Sequence, residues 1–174
     1  MKPPGLSFYT SVVPESLRRN MHEYFYEMEE RGEFTEVGPT KNASELAHMV
    51  MQFGYTASKI KKKIPPILQE LIIYVPHYSR GNLDQCIVNK YLHGEGITQH
   101  TDSPCFGELI CCYSFGETSP MVFTNPETSD TYTVTTTDNS LYIMENDVRY
   151  KWKHHMPNLQ GDIPRYSVTF RSVD

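Results

Sequence analysis

His100-Thr101-Asp102, answered late in the chain by His154-His155 and by the run Arg165-Tyr166-Ser167-Val168-Thr169-Phe170-Arg171, is the part of the sequence from which the rest can be read. In an extended strand successive side chains point to opposite faces, so His100 and Asp102 share one face and Thr101 takes the other. Two imidazoles and one carboxylate on one side of a metal, with the opposite positions open, form the donor set of non-haem ferrous centres that activate dioxygen. His100 and Asp102 supply two of the three. The third must come from a distant strand, where His154 and His155, being neighbours, face opposite ways. His154 shares its face with Trp152 and Tyr150 and is read as the ligand, with His155 beside the site.

The run Arg165 to Arg171 alternates in the same manner. Arg165, Ser167, Thr169 and Arg171 fall on one face, and Tyr166, Val168 and Phe170 on the other. A keto diacid cosubstrate such as 2-oxoglutarate has one carboxylate for the iron and a second that needs a permanently charged partner, a role suited to the forked guanidinium of arginine. Six residues of strand span roughly 20 Å. Two long arginine side chains leaning together are therefore expected to hold the two ends of one diacid. Asn89-Lys90-Tyr91 repeats the pattern, with Asn89 and Tyr91 offering an amide and a phenol on one face and Lys90 facing outward.

Taken together, Asn89-x-Tyr91, His100-x-Asp102, Trp152-x-His154 and Arg165-(x5)-Arg171 resemble, in order, the AlkB family of Fe(II)/2-oxoglutarate dioxygenases, over about residues 50 to 172. Phe53-Gly54-Tyr55 is similar to a segment that precedes the substrate lid in that family, and Ser114-Phe115-Gly116 resembles its S-L-G strand end. The motif style is closest to the tRNA wobble-uridine branch, whose additional RNA-binding and methyltransferase domains are not expected within these 174 residues. The resemblance implies iron binding by His100, Asp102 and His154, pairing of Arg165 with the far carboxylate, and completion of the cosubstrate site by Asn89, Tyr91, Ser167 and Arg171. It further implies oxidative demethylation or hydroxylation of alkylated bases in RNA or single-stranded DNA, as in RNA modification or DNA repair, with dioxygen as cosubstrate. Protein side chains or small metabolites are the alternative substrates.

Formal net charge is −5, whereas nucleic-acid binders are more often basic, because phosphate contacts dominate their affinity. The charge is uneven, however. Lys59, Lys61, Lys62 and Lys63 crowd five positions, and Arg149, Lys151 and Lys153 alternate beside the expected iron ligand. Local patches of this kind can steer a polyanion despite an acidic total. Tyr55, Lys61, Lys62, Lys63, Arg149 and Trp152 are accordingly the candidate substrate contacts. Phe53, Tyr55 and Trp152 are aromatic enough to stack on a base, although rings of this kind are more often core. Glu108 is read as a strand-end carboxylate. His22, His48, His77 and His93 have no metal partner at a telling spacing.

With 174 residues and 39% hydrophobic content, the chain is expected to form one domain over residues 1–174, with 1–80 as helical support and substrate lid and 81–174 as a jelly-roll core. Pro14, then Leu17, Met21, Tyr24, Phe25 and Met28, with Gly32 as the stop, predict a helix from about 14 to 31. A second apolar run from Pro65 to Val75 predicts another, ended by Pro76. From Cys86 on, strands are expected at about 86–92, 97–101, 109–115, 120–124, 131–137, 140–144, 149–154 and 165–172, punctuated by glycine and asparagine turns. The fold class that follows is α+β, a double-stranded β-helix (jelly roll) backed by N-terminal helices. No apolar stretch reaches the roughly 18 residues of a membrane span. Cys86, Cys105, Cys111 and Cys112 lack a C-x-x-C spacing, so reduced thiols in a cytoplasmic or nuclear compartment are expected, for a soluble monomer with no membrane partner.

Overall fold

The alternation read at Arg165–Arg171 extends through most of the chain after residue 84, which runs largely as strand. The structure, a computed structural model, describes residues 1–37, 48–55, 61–76 and 83–173. Its elements are β1 (Leu6–Thr10), α1 (Glu15–Glu30), β2 (Thr35–Val37), β3 (His48–Tyr55), β4 (Lys61–Lys62), α2 (Pro66–Ile73), β5 (Gln85–Tyr91), β6 (Ile97–His100), β7 (Phe106–Gly116), β8 (Ser119–Thr124), β9 (Thr131–Thr136), β10 (Ser140–Met144), α3 (Asn146–Tyr150), β11 (Lys153–Met156) and β12 (Arg165–Val173).

Local chemistry explains the two longer helices. Pro14 holds φ at −57° just ahead of α1 and Glu15 places a negative charge in its first turn, where the helix dipole favours one. Leu17, Met21 and Phe25 recur every four residues and are its buried face. Gly32, at φ +69°, ends the helix, with the Gly32 and Glu33 amides returning to the Glu29 and Met28 carbonyls. α2 begins with Pro66 in its first turn, a position where the missing N–H costs nothing.

The strands form two antiparallel sheets. The larger runs β1-β10-β7-β12-β5-β3-β2 with β4 on the edge of β3, and the smaller runs β6-β11-β8-β9. On the larger sheet, odd positions of β7 (Cys111, Tyr113, Phe115) and the even positions of β12 (Tyr166, Val168, Phe170) face α1 and α2 and pack with Phe25, Leu68 and Leu71 in one core. The opposite face turns toward the smaller sheet, where Ile110, Cys112 and Tyr142 meet Met121, Phe123 and Met156 in a second core. This is the jelly roll backed by helices that the sequence predicts.

Three differences from the sequence reading matter. The segment before residue 81 is not only helical support: β1, β2, β3 and β4 all come from it, and β3 pairs with β5 directly beside the site. Residues 149–154 are not a strand. Asn146 takes φ +53° and starts the short helix α3, so Arg149 and Tyr150 end a helix and only Lys153 onward is extended. Lys90 does not face solvent; its ammonium lies 2.7 Å from Glu29 of α1.

Candidate metal centre and anion pocket

Antiparallel register brings the histidines together: His154 of β11 is directly opposite His100 of β6, and their rings lie 4.3 Å apart. Asp102 joins them from the connection after β6, since the strand ends at His100, two residues earlier than simple alternation to Asp102 requires. One oxygen, Oδ1 of Asp102, lies 3.5 Å from His100 Nε2 and 3.4 Å from His154 Nε2. The three donor atoms fall within 4.8 Å of one another, the one such group of three among the described residues.

The donors are chemically prepared for a cation. Asp102 Oδ1 is buried and has no hydrogen-bond partner, while Oδ2 accepts from Arg171 Nε at 2.7 Å. A buried carboxylate oxygen left open between two imidazoles fits a divalent ion, which would supply the missing partner. His100 Nδ1 lies 2.7 Å from the Thr98 carbonyl; donation of its N–H there leaves the Nε2 lone pair facing the site. Burial alone would raise the Asp102 pKa, but the adjacent His100 imidazole and the charge of Arg171 hold it far below the ordinary carboxylate range. Burial, then the neighbouring His100, push His154 down to about 3, so its imidazole is neutral near pH 7. For His100, burial acts downward but the adjacent Asp102 carboxylate and the Thr98 hydrogen bond outweigh it, and its pKa is raised.

The second half of the site lies on neighbouring strands of the larger sheet. Arg165 is opposite Tyr91 and Ser167 opposite Asn89 in the β12–β5 register. Arg165 is 1% exposed, donates to Ser114 Oγ at 2.8 Å, stands 5.6 Å from the Tyr91 ring and keeps a buried Nε with no partner. A buried guanidinium with an open donor is suited to an anion. Burial raises the Tyr91 phenol to about 12, so it remains a donor. Asn89, Tyr91, Arg165, Ser167 and Arg171 line one pocket with His100, Asp102 and His154, and the donor set fits a diacid that reaches from the metal to Arg165.

Several expected residues sit elsewhere. Arg171 grips Asp102, and is not simply the second clamp of the diacid, because its Nε faces the carboxylate. Arg149 is 2% exposed and bonded to main-chain carbonyls, so it is no surface cation for phosphate. Trp152 is 4% exposed in the second core, which removes it as a stacking platform. The departure at Arg149 follows from α3, which turns that side chain inward. Phe53 is buried, with Lys62 Nζ 4.9 Å from its ring, and Lys63 is exposed. The side chains of Tyr55 and Lys61, and all of Lys59 and His77, lie outside the described residues. His48, given no role above, is stacked on Tyr91 at 4.9 Å and places Nε2 3.0 Å from Asn89 Oδ1. No sequence spacing signals that contact, because it crosses from β3 to β5.

Comparison with known proteins agrees with this geometry. The family model of the 2OG-Fe(II) oxygenase superfamily matches residues 11–171. An uncharacterized protein of Acanthamoeba polyphaga mimivirus is 34% identical, over 68% of this chain and 63% of that protein. The "Alkylated DNA repair protein ALKBH8 homolog" of Arabidopsis thaliana is 27% identical, over 63% of this chain and 38% of that one. The chain thus spans less than two thirds of the length of these curated relatives. Among solved structures, a Pseudomonas putida prolyl-4-hydroxylase superposes with a TM-score of 0.71 at 12% identity, covering 98% of this chain and 93% of the other. OsALKBH1 superposes with a TM-score of 0.72 at 14% identity, covering 99% and 98%. These two show the shared fold. The chain belongs to the 2OG-Fe(II) oxygenase superfamily, and has ferrous iron and 2-oxoglutarate as its cofactors.

Proposed function

We propose that this member of the 2OG-Fe(II) oxygenase superfamily oxidises alkylated bases in RNA or single-stranded DNA, removing N-methyl groups as formaldehyde or leaving a stable hydroxyl. The observation that supports the reading is that Asn89, Tyr91, His100, Asp102, His154, Arg165 and Arg171, drawn from all four motifs of the AlkB resemblance, line one pocket. The name of the Arabidopsis relative supports the substrate class. When bound, iron and 2-oxoglutarate supply the oxidant: dioxygen is consumed, 2-oxoglutarate becomes succinate and CO2, and one oxygen atom enters a substrate C–H bond.

The side chains divide the remaining work. His100, Asp102 and His154 hold one face of the metal and leave the other open. Arg165, Tyr91, Asn89 and Ser167 bind and orient the diacid, and Arg171 fixes the Asp102 carboxylate with Oδ1 inward. The His100 side chain is 33% exposed, against 7% for His154, so substrate approaches from the His100 side. A base must be unstacked to reach it, which favours single-stranded nucleic acid. Lys62 and Lys63, both exposed, offer the phosphate contacts. The proposal places the chain as a single-domain monomer in a reducing cytoplasmic or nuclear compartment, in keeping with free Cys86, Cys105, Cys111 and Cys112. No helix among the described residues is long and apolar enough to cross a membrane.

The acidic net charge of −5 and the burial of Arg149 favour a second reading, the same chemistry on a protein side chain or small metabolite. Mass spectrometry of nucleosides from RNA and DNA incubated with the protein, Fe(II), ascorbate and 2-oxoglutarate decides between them. Loss of methylene or gain of oxygen in a nucleoside is expected; succinate release with every nucleoside unchanged overturns the nucleic-acid reading.

A further inference from the structure

Arg149 is among the largest fully buried side chains of the protein, and no carboxylate pairs with it among the described residues. Burying a lone cation is costly unless its donors are satisfied. Here they are satisfied by main-chain carbonyls alone: Nε donates to Gly107 at 3.1 Å, NH1 to Asp102 at 3.1 Å, and NH2 to Ser103 and Phe106 at 3.0 Å each. The Asp102 and Ser103 carbonyls belong to the connection that carries Asp102 from β6 into β7, and those of Phe106 and Gly107 to the first two residues of β7. The other end of Arg149 is equally fixed, since α3 is tied to the N-terminal segment through Val148 N–H donating to Pro4 O at 3.0 Å. The chain leaves α3 straight into β11 and His154. Beside this link, Thr101 Oγ1 donates to the Trp152 carbonyl at 3.1 Å.

From this we infer that Arg149 is a positioning residue of the metal centre, bracketing the loop of Asp102 to the segment that delivers His154 and so setting the affinity for the metal; the inference rests on the metal-centre reading above. Asp102 lies beyond the end of β6, where ladder hydrogen bonds no longer fix the backbone. Arg171 orients its carboxylate, but the position of its main chain depends on the four carbonyl bonds. Arginine is required because its planar fork reaches several acceptors at once, whereas the three donors of a lysine radiate from one point. With the bracket released, Asp102 can move relative to His154 while the sheets remain intact.

Arg149→Lys and Thr101→Val in the full chain test this. Amide hydrogen exchange of the metal-free protein reads the loop without any metal: Arg149→Lys should speed exchange across residues 101–107 by about tenfold or more, with β12 unchanged. Co(II) titration followed by ligand-field absorption should show affinity weakened by about tenfold or more in Arg149→Lys, and less in Thr101→Val. At saturating metal the 2-oxoglutarate requirement should match the parent. Loop exchange and Co(II) affinity both within about twofold of the parent overturn the inference. If Arg149→Lys does not fold, Arg149→Gln, which keeps an amide donor near the same carbonyls without the buried charge, decides by the same criterion. A parent chain that takes up no Co(II) overturns the metal-centre reading, and this inference with it, and is told apart by appearing before any substitution.

Discussion

Asp102 carries different duties on its two oxygens. Oδ2 is committed to Arg171, and Oδ1 faces the two imidazole nitrogens with nothing bound to it. Proton competition at the three ligands is unequal. Asp102 is held far below the carboxylate range and His154 near 3, so near neutral pH neither binds a proton, whereas the His100 pKa is raised above 6.5. A metal therefore displaces a proton from His100 alone. Co(II) affinity should rise about tenfold per pH unit below the raised His100 value and level off above it. A titration that rises about a hundredfold per unit would mean both histidines compete, contrary to this assignment. Arg165 is the other decisive residue. Arg165→Ala removes a charge-assisted contact worth about 1.5–3 kcal/mol, so the KM for 2-oxoglutarate should rise roughly 10- to 100-fold with kcat less affected. Steady-state succinate assays check it, and an unchanged KM would move the far carboxylate to Arg171. At this scale the grouping of His100, Asp102 and His154 beside a buried Arg165 was legible from residue chemistry, although Asp102 lies past the end of β6 and not on the alternating strand. The roles of Arg171 and Arg149 were not, since each is defined by a partner remote in the chain, Asp102 for one and the carbonyls of residues 102–107 for the other.

At the level of elements, β12 reads correctly because one face is polar and the other apolar, which only a strand between a functional pocket and a helix layer requires. β3 escaped notice for a related reason. Val50, Met51 and Phe53 are all buried, so its two faces are covered and alternation vanishes. β1 is a five-residue edge strand with mixed side chains, too short for a pattern. In α3 the alternation of Tyr150, Trp152 and His154 imitates a strand, and a five-residue helix has no room to display its own period. α1 is the opposite case, with Leu17, Met21 and Phe25 declaring the buried face. Phe25 is 1% exposed and stacks on Tyr166 at 4.3 Å. Phe25→Ala should cost about 3–5 kcal/mol, whereas Tyr26→Ala, at a ring 65% exposed, should stay within about 0.5 kcal/mol. Urea denaturation of the two variants checks this, and equal losses would contradict the packing of α1 against the larger sheet.

For the whole molecule, two sheets act as the two jaws of the site. The smaller sheet contributes His100 and His154 through one register pair, and the larger contributes Arg165, Ser167, Asn89 and Tyr91 through two. Arg171 crosses between them by reaching from β12 to Asp102. The overall architecture was legible from turns and alternating strands, but the order of strands across each sheet was not, because it depends on pairings between segments far apart in sequence. The most direct test of the convergence is anomalous diffraction at the iron edge from crystals grown anaerobically with Fe(II). One peak is expected per chain, at bonding distance of about 2.0–2.2 Å from His100 Nε2, His154 Nε2 and Asp102 Oδ1. No peak there, or a peak bonded to other side chains, would contradict the account.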